Sequence, residues 1–122
     1  MSGEVRIAAR GLTKVYRSGS ADLVVFRDLD FDVYRGERLA LMGESGAGKT
    51  TILYLLGALD RPTAGTIHYD SRELSGLTDS ELAEFRNGEI GFVWQNHFLL
   101  PEFTALENVM MPGLIHGRPL SE

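Results

Sequence analysis

The stretch Gly43-Glu44-Ser45-Gly46-Ala47-Gly48-Lys49-Thr50 decides how the rest of the chain is read. It fits G-x-x-x-x-G-K-[ST], the pattern of a loop whose backbone amides converge on a polyphosphate. The flanks have the required periods. Leu39-Ala40-Leu41-Met42 is apolar on both parities, which predicts a strand covered on both faces. From Thr50 onward Ile52, Leu55, Leu56 and Leu59 recur at helical spacing. Asp60-Arg61-Pro62 is expected to end that helix, because proline disfavours helical geometry in the residue before it. The glycines permit a tight turn, and the helix N-terminus adds its positive end. Lys49 is placed to reach the β and γ phosphates, and the Thr50 hydroxyl to ligate Mg²⁺. The candidate nucleotide-binding set from the loop is Gly43, Glu44, Ser45, Gly46, Ala47, Gly48, Lys49, Thr50 and Thr51. The competing reading is a glycine-rich turn that binds nothing. Against it, ten of the 12 basic residues are arginines, and one of the only two lysines falls at the motif's lysine.

Working outward, the N-terminal side reads as antiparallel sheet. Val5, Ile7 and Ala9 alternate with Arg6, Ala8 and Arg10, as in a half-buried strand. Arg17-Ser18-Gly19-Ser20 is a turn cluster, and Leu23 to Phe26 opens a second extended stretch. Leu29, Phe31 and Val33 then alternate with Asp30, Asp32 and Tyr34 until Arg35-Gly36-Glu37 breaks the run. On the C-terminal side, Gly65 to Tyr69 and Ile90 to Trp94 read as strands. Thr78 with Glu81, and Thr104 with Glu107, have capping-box spacing and mark two helix starts; Leu77 and Leu82 can staple the first. The class is therefore α/β, with an antiparallel portion over 1–35 and the loop, helix and later elements over 36–122.

Composition narrows the function classes. The chain has 122 residues, 43% of them hydrophobic and 24% charged, which suits a globular fold. The net charge of −5 gives no general basic field for nucleic acid. With no cysteines, disulfide scaffolds and thiol or thiolate-metal chemistry are excluded. His68, His97 and His116 are too scattered to suggest a metal site. No apolar stretch is long enough to span a membrane and no signal-peptide core is present, so any membrane contact is expected to be peripheral.

A guanine-specific enzyme would carry Asn-Lys-x-Asp, and no asparagine here is followed by lysine. The features around the loop point elsewhere. An antiparallel portion with Lys14-Val15-Tyr16 precedes it, and Gly91-Phe92-Val93-Trp94-Gln95 follows well downstream. These resemble the ATP-binding subunits of ABC transporters. Leu56-Gly57-Ala58-Leu59-Asp60-Arg61-Pro62-Thr63-Ala64-Gly65 and the run from Leu99-Leu100-Pro101-Glu102-Phe103 to Met111-Pro112 are similar to the lipoprotein-releasing ATPase subfamily. Macrolide-exporter and cell-division relatives share much of this. The resemblance covers nearly the whole chain. Three positions depart from the usual pattern: Glu44 puts a carboxylate in the loop, Trp94 replaces a smaller aromatic, and Gly113 stands where an aliphatic is usual.

The resemblance implies a P-loop NTPase fold of the ABC ATPase type. It implies that Tyr16 stacks on adenine and that Gln95 is the Q-loop glutamine, with Thr50 and Gln95 serving Mg²⁺ held through ATP. It also implies a second copy of the subunit, and transmembrane subunits docking near Gln95–Met111 on the cytoplasmic face of a bacterial inner membrane. Met110 and Met111 beside Leu106 and Val109 otherwise read as core.

The family's hydrolytic parts are an LSGGQ signature, an apolar run ending in Asp, a catalytic Glu and a switch His. Leu74-Ser75-Gly76-Leu77-Thr78 only begins like the signature and precedes Gln95 rather than following it; it reads as the turn into the Thr78 cap. Residues 95–122 contain no Asp. The chain is thus expected to be the N-terminal half of such a domain, ending at Pro119-Leu120-Ser121-Glu122. Expected consequences are weak MgATP binding, negligible hydrolysis, and self-association through uncovered sheet edges. The alternative is a non-catalytic self-associating fragment that binds no nucleotide.

Overall fold

The computed structural model describes residues 3–43 and 47–117. Two long strands, β1 (Val5–Ser18) and β2 (Ala21–Tyr34), form a hairpin turning at Gly19, whose φ of 63° suits glycine. The ribbon is irregular by design of its sequence. Gly11 and Asp28 adopt positive φ, and the β1–β2 register shifts in the same region. Next come helix α1 (Ala47–Leu56), strands β3 (Ala64–Tyr69) and β4 (Arg72–Glu73), and helices α2 (Asp79–Glu89) and α3 (Ala105–Ile115). The sheet order is β2-β1-β3-β4, antiparallel throughout.

One core joins these elements. Ala9 and Leu12 of β1, Leu55 of α1, Ile67 and Tyr69 of β3, and Leu82 and Phe85 of α2 are buried together. Tyr69 meets Phe85 edge-on at 4.9 Å and donates its hydroxyl to the Leu56 carbonyl, anchoring α1 to the sheet. Burial raises the Tyr69 phenol to about 12, against a smaller opposing pull from Arg6. At the contact between β1 and β3, Gly65 has φ 89° and packs against the backbone of Gly11. Both capping boxes form: the Thr78 and Thr104 hydroxyls accept from the Glu81 and Glu107 amides, and the glutamates reach back. Leu82 is buried and Leu77 packs on the same core.

Three expectations need correction. Helix α1 starts at Ala47, earlier than Thr50, and ends at Leu56 rather than at Asp60-Arg61-Pro62. The proline does not stop it. The Leu59 amide bonds the Tyr54 carbonyl at 2.9 Å and the Ala58 amide bonds Leu55 at 3.2 Å, with Ala58 at φ 60°. That is a Schellman termination with alanine in the left-handed position. Gly57, one residue earlier, is small for another reason: an added Cβ would sit 2.4 Å from the Phe92 ring. The other two corrections are the stretches Leu39–Met42 and Ile90–Trp94, which form no strand. Met42 is 89% exposed, and Val93 is wholly exposed. A strand exists only where a neighbouring strand answers its N–H and C=O groups; among the described residues neither stretch pairs with one, and the Ile90 amide bonds the Arg86 carbonyl at the end of α2 instead.

Candidate nucleotide-binding site

Helix α1 presents the loop. Lys49, in its first turn, folds back so that Nζ donates to the Gly43 carbonyl at 2.8 Å. The ammonium therefore links the first turn of α1 to Gly43. β2 lies alongside: Val25 Cγ1 is 3.8 Å from where a Cβ on Gly48 would be. Thr51 is buried and Thr50 is exposed. Glu44, Ser45 and Gly46 lie outside the described residues, as does the side chain of Ala47.

Thr50 and Gln95 line one cleft of about 360 Å³, together with Tyr54, Trp94 and Asn96. The segment carrying Gln95 reaches this place without strand pairing. Phe92 lies over Gly57 and stacks on Trp94 at 4.8 Å, while Trp94 meets Tyr54 of α1 at 6.1 Å and Phe98 at 5.4 Å. Aromatic contacts to α1 thus hold the 92–98 segment beside the loop. Beyond it, Asn108 ties the following stretch to α3: its Oδ1 accepts from the Leu100 amide and its Nδ2 donates to the carbonyls of Leu100, Phe103 and Thr104.

Tyr16 lies outside that cleft, on the ribbon. Its hydroxyl donates to Asp60 Oδ2 at 3.0 Å, and Lys14 Nζ sits 4.9 Å from its ring centroid. Lys14 also donates to Asp60 and to the Arg61 carbonyl. Partial burial works against charge on Asp60. The hydrogen bonds from Lys14, the Arg61 amide and Tyr16 outweigh it and hold the carboxyl below the usual carboxylate range.

These groups suit a nucleotide with its magnesium. Thr50 and Gln95 offer neutral oxygens of the kind a hard cation accepts. No cluster of three or more His, Cys, Asp or Glu exists among the described residues, so phosphate oxygens would have to complete the metal's shell. Sequence reasoning missed Asp60, Asn108 and the aromatic cluster. The carboxylate partner of Lys14 and Tyr16 is remote in sequence, so no local period points to it.

The strand ribbon, phosphate loop and core helix define a P-loop NTPase fold of the ABC ATPase type. Residues 26–121 match the family described as ABC transporter, and the chain belongs to that family. It is 54% identical over 106 residues to the lipoprotein-releasing system ATP-binding protein LolD of Koribacter versatilis, across 87% of this chain and 48% of that protein. The LolD of Chromohalobacter salexigens is 49% identical over 99% of this chain and 51% of its own length. Among solved structures, the dimeric bacterial ABC transporter cassette MJ0796 superposes with a TM-score of 0.86 at 37% identity, covering 93% of this chain and 49% of the cassette. The chain spans about half the length of the curated relatives it matches.

Proposed function

We propose that this chain binds MgATP as part of an ATPase that powers lipoprotein release, or a related export, at a bacterial inner membrane. The observation that carries the reading is the link from Lys49 to Gly43, with Thr50 and Gln95 sharing the adjoining cleft. Lys49 exchanges its bond to Gly43 for phosphate oxygens, the amides at the start of α1 meet the anion, and Thr50 and Gln95 hold the magnesium. The bound ion neutralises phosphate charge. Tyr16 stacks on the adenine. Support for the nucleotide comes from a second MJ0796 structure, described as a post-hydrolysis state bound to ADP and Pi.

The chain by itself binds weakly and turns over negligibly, because an apolar-Asp-Glu run and a complete signature are not among its residues. Partners are a second copy, by likeness to the dimeric cassette, and transmembrane subunits near Gln95–Met111. The second of these is supported by α3, which has no buried residue and leaves Leu106 and Val109 exposed. The proposed place is peripheral, on the cytoplasmic face; no helix among the described residues is long and apolar enough to cross a membrane.

Titration calorimetry of the chain with MgATP, with and without Lys49→Ala, tests the reading. Binding that the substitution abolishes is the expected result. No binding, or binding indifferent to Lys49, overturns it in favour of a non-catalytic self-associating chain. Phosphate release near one turnover per second would overturn the claim of negligible hydrolysis.

A further inference from the structure

Tyr16 of β1 pairs with Leu23 of β2, and Lys14 and Val25 lie two residues from these on their own strands. The register shifts between Lys14, which pairs with Phe26, and Val15, which pairs with Val24, but the Lys14 and Tyr16 side chains meet on one side of the ribbon, where both reach Asp60. Val25 lies beside Gly48 of α1, its Cγ1 3.8 Å from where a Cβ there would be.

The Tyr16 ring is held at two points. Its hydroxyl is tied to Asp60, and one of its faces is covered by the Lys14 ammonium, itself paired with the same carboxylate. The Lys14 side chain is only 11% exposed, whereas Tyr16 keeps 38% of its surface open. With Lys14 on one face, the opposite face is the one left to a ligand.

We infer that Lys14 and Asp60 are positioning residues that hold the Tyr16 ring in place as a platform for the base of a nucleotide, and so set how much the base adds to affinity. This rests on the proposed nucleotide site. An untethered tyrosine must freeze its rotamers when a base stacks on it; a tethered one has already done so. The ammonium behind the ring also draws electron density from it, which favours contact with an electron-rich base on the far face. A purely structural role for Asp60 would instead weaken every ligand alike.

The test is calorimetry on the whole chain with two probes, MgATP and magnesium tripolyphosphate, read as the ratio of their affinities. Asp60→Ala is expected to lower that ratio about three- to tenfold. Tyr16→Phe keeps the ring but loses the tether, and is expected to match it, with no further loss in the double variant. Asp60→Asn keeps an oxygen for the hydroxyl and should recover most of the ratio. An unchanged ratio in Asp60→Ala or Tyr16→Phe overturns the inference. So does equal loss for both probes, or an Asp60→Asn variant that behaves as Asp60→Ala. Tyr16→Ala separates the two levels of the argument. If it leaves the ratio intact while Lys49→Ala abolishes binding of both probes, the phosphate site stands and the base platform falls. If the unaltered chain binds neither probe, the proposed function fails and this inference with it.

Discussion

Gly65→Ala is the sharpest test of how the phosphate loop's scaffold is held. Gly65 sits where β3 crosses the irregular part of β1, at φ 89°. An L side chain there pays a left-handed backbone cost of about 1–2 kcal/mol. The steric part is worse. A Cβ would lie 2.4 Å from the Gly11 carbonyl oxygen, 2.5 Å from its carbon and 2.7 Å from the Arg10 oxygen. These are backbone atoms, so no rotamer change relieves the contact. The two strands must separate by about 1 Å, with a strain of about 1–3 kcal/mol. Nearby bonds share the damage, including the Thr63 amide to the Thr13 carbonyl at 2.9 Å and the Val15 amide to Thr63 Oγ1 at 2.9 Å. The expected loss is about 2–5 kcal/mol, a large part of a small domain's stability. Urea unfolding followed by far-UV circular dichroism should show a midpoint lowered by about 1–2 M. Gly36→Ala is the internal control: φ is 77°, but nothing lies within 4 Å of the added carbon. It should show the backbone cost without the clash. Equal losses at Gly65 and Gly36 would refute the close-approach argument.

Other outcomes follow from the ionisable groups and the exposed surface. Asp60 has a lowered pKa in the folded chain, so its contribution to stability is full above the unfolded carboxylate value, about 3.9, and is lost as pH falls through the folded value. Acid unfolding curves of Asp60→Asn should lack that portion of the slope; curves parallel to the parent would contradict the hydrogen-bond account. Tyr69 is raised to about 12, so folding gains from its neutral phenol below about pH 10 and loses that gain as pH rises toward 12. Absorbance titration of the folded chain should show a late phenol ionisation that Tyr69→Phe lacks; superimposable curves for the two would contradict the burial account. With Leu106, Val109 and Ile115 of α3 all exposed, the chain should self-associate in light scattering, and Val109→Glu should reduce it. A monodisperse monomer would contradict the expectation.

How legible each part was depended on how local its causes are. Both capping boxes were readable because donor and acceptor lie three residues apart. The hairpin turn at Gly19 was readable for the same reason. Apolar composition suggests strands at Leu39–Met42 and Ile90–Trp94, but pairing belongs to a neighbour, and neither stretch has one among the described residues. The end of α1 was misplaced because Pro62 is a strong signal, whereas termination came from Ala58 accepting a conformation alanine disfavours.

By itself, the order of residues determined the α/β class and the two capped helix starts at Thr78 and Thr104, since the caps follow from contacts within a few positions. Tertiary structure alone decided that Asp60 meets Lys14 and Tyr16, that aromatic rings rather than a sheet bring Gln95 beside Thr50, and that Gly65 must be bare. These are meetings of atoms far apart along the chain, and no local period encodes which distant side chain arrives at a given face.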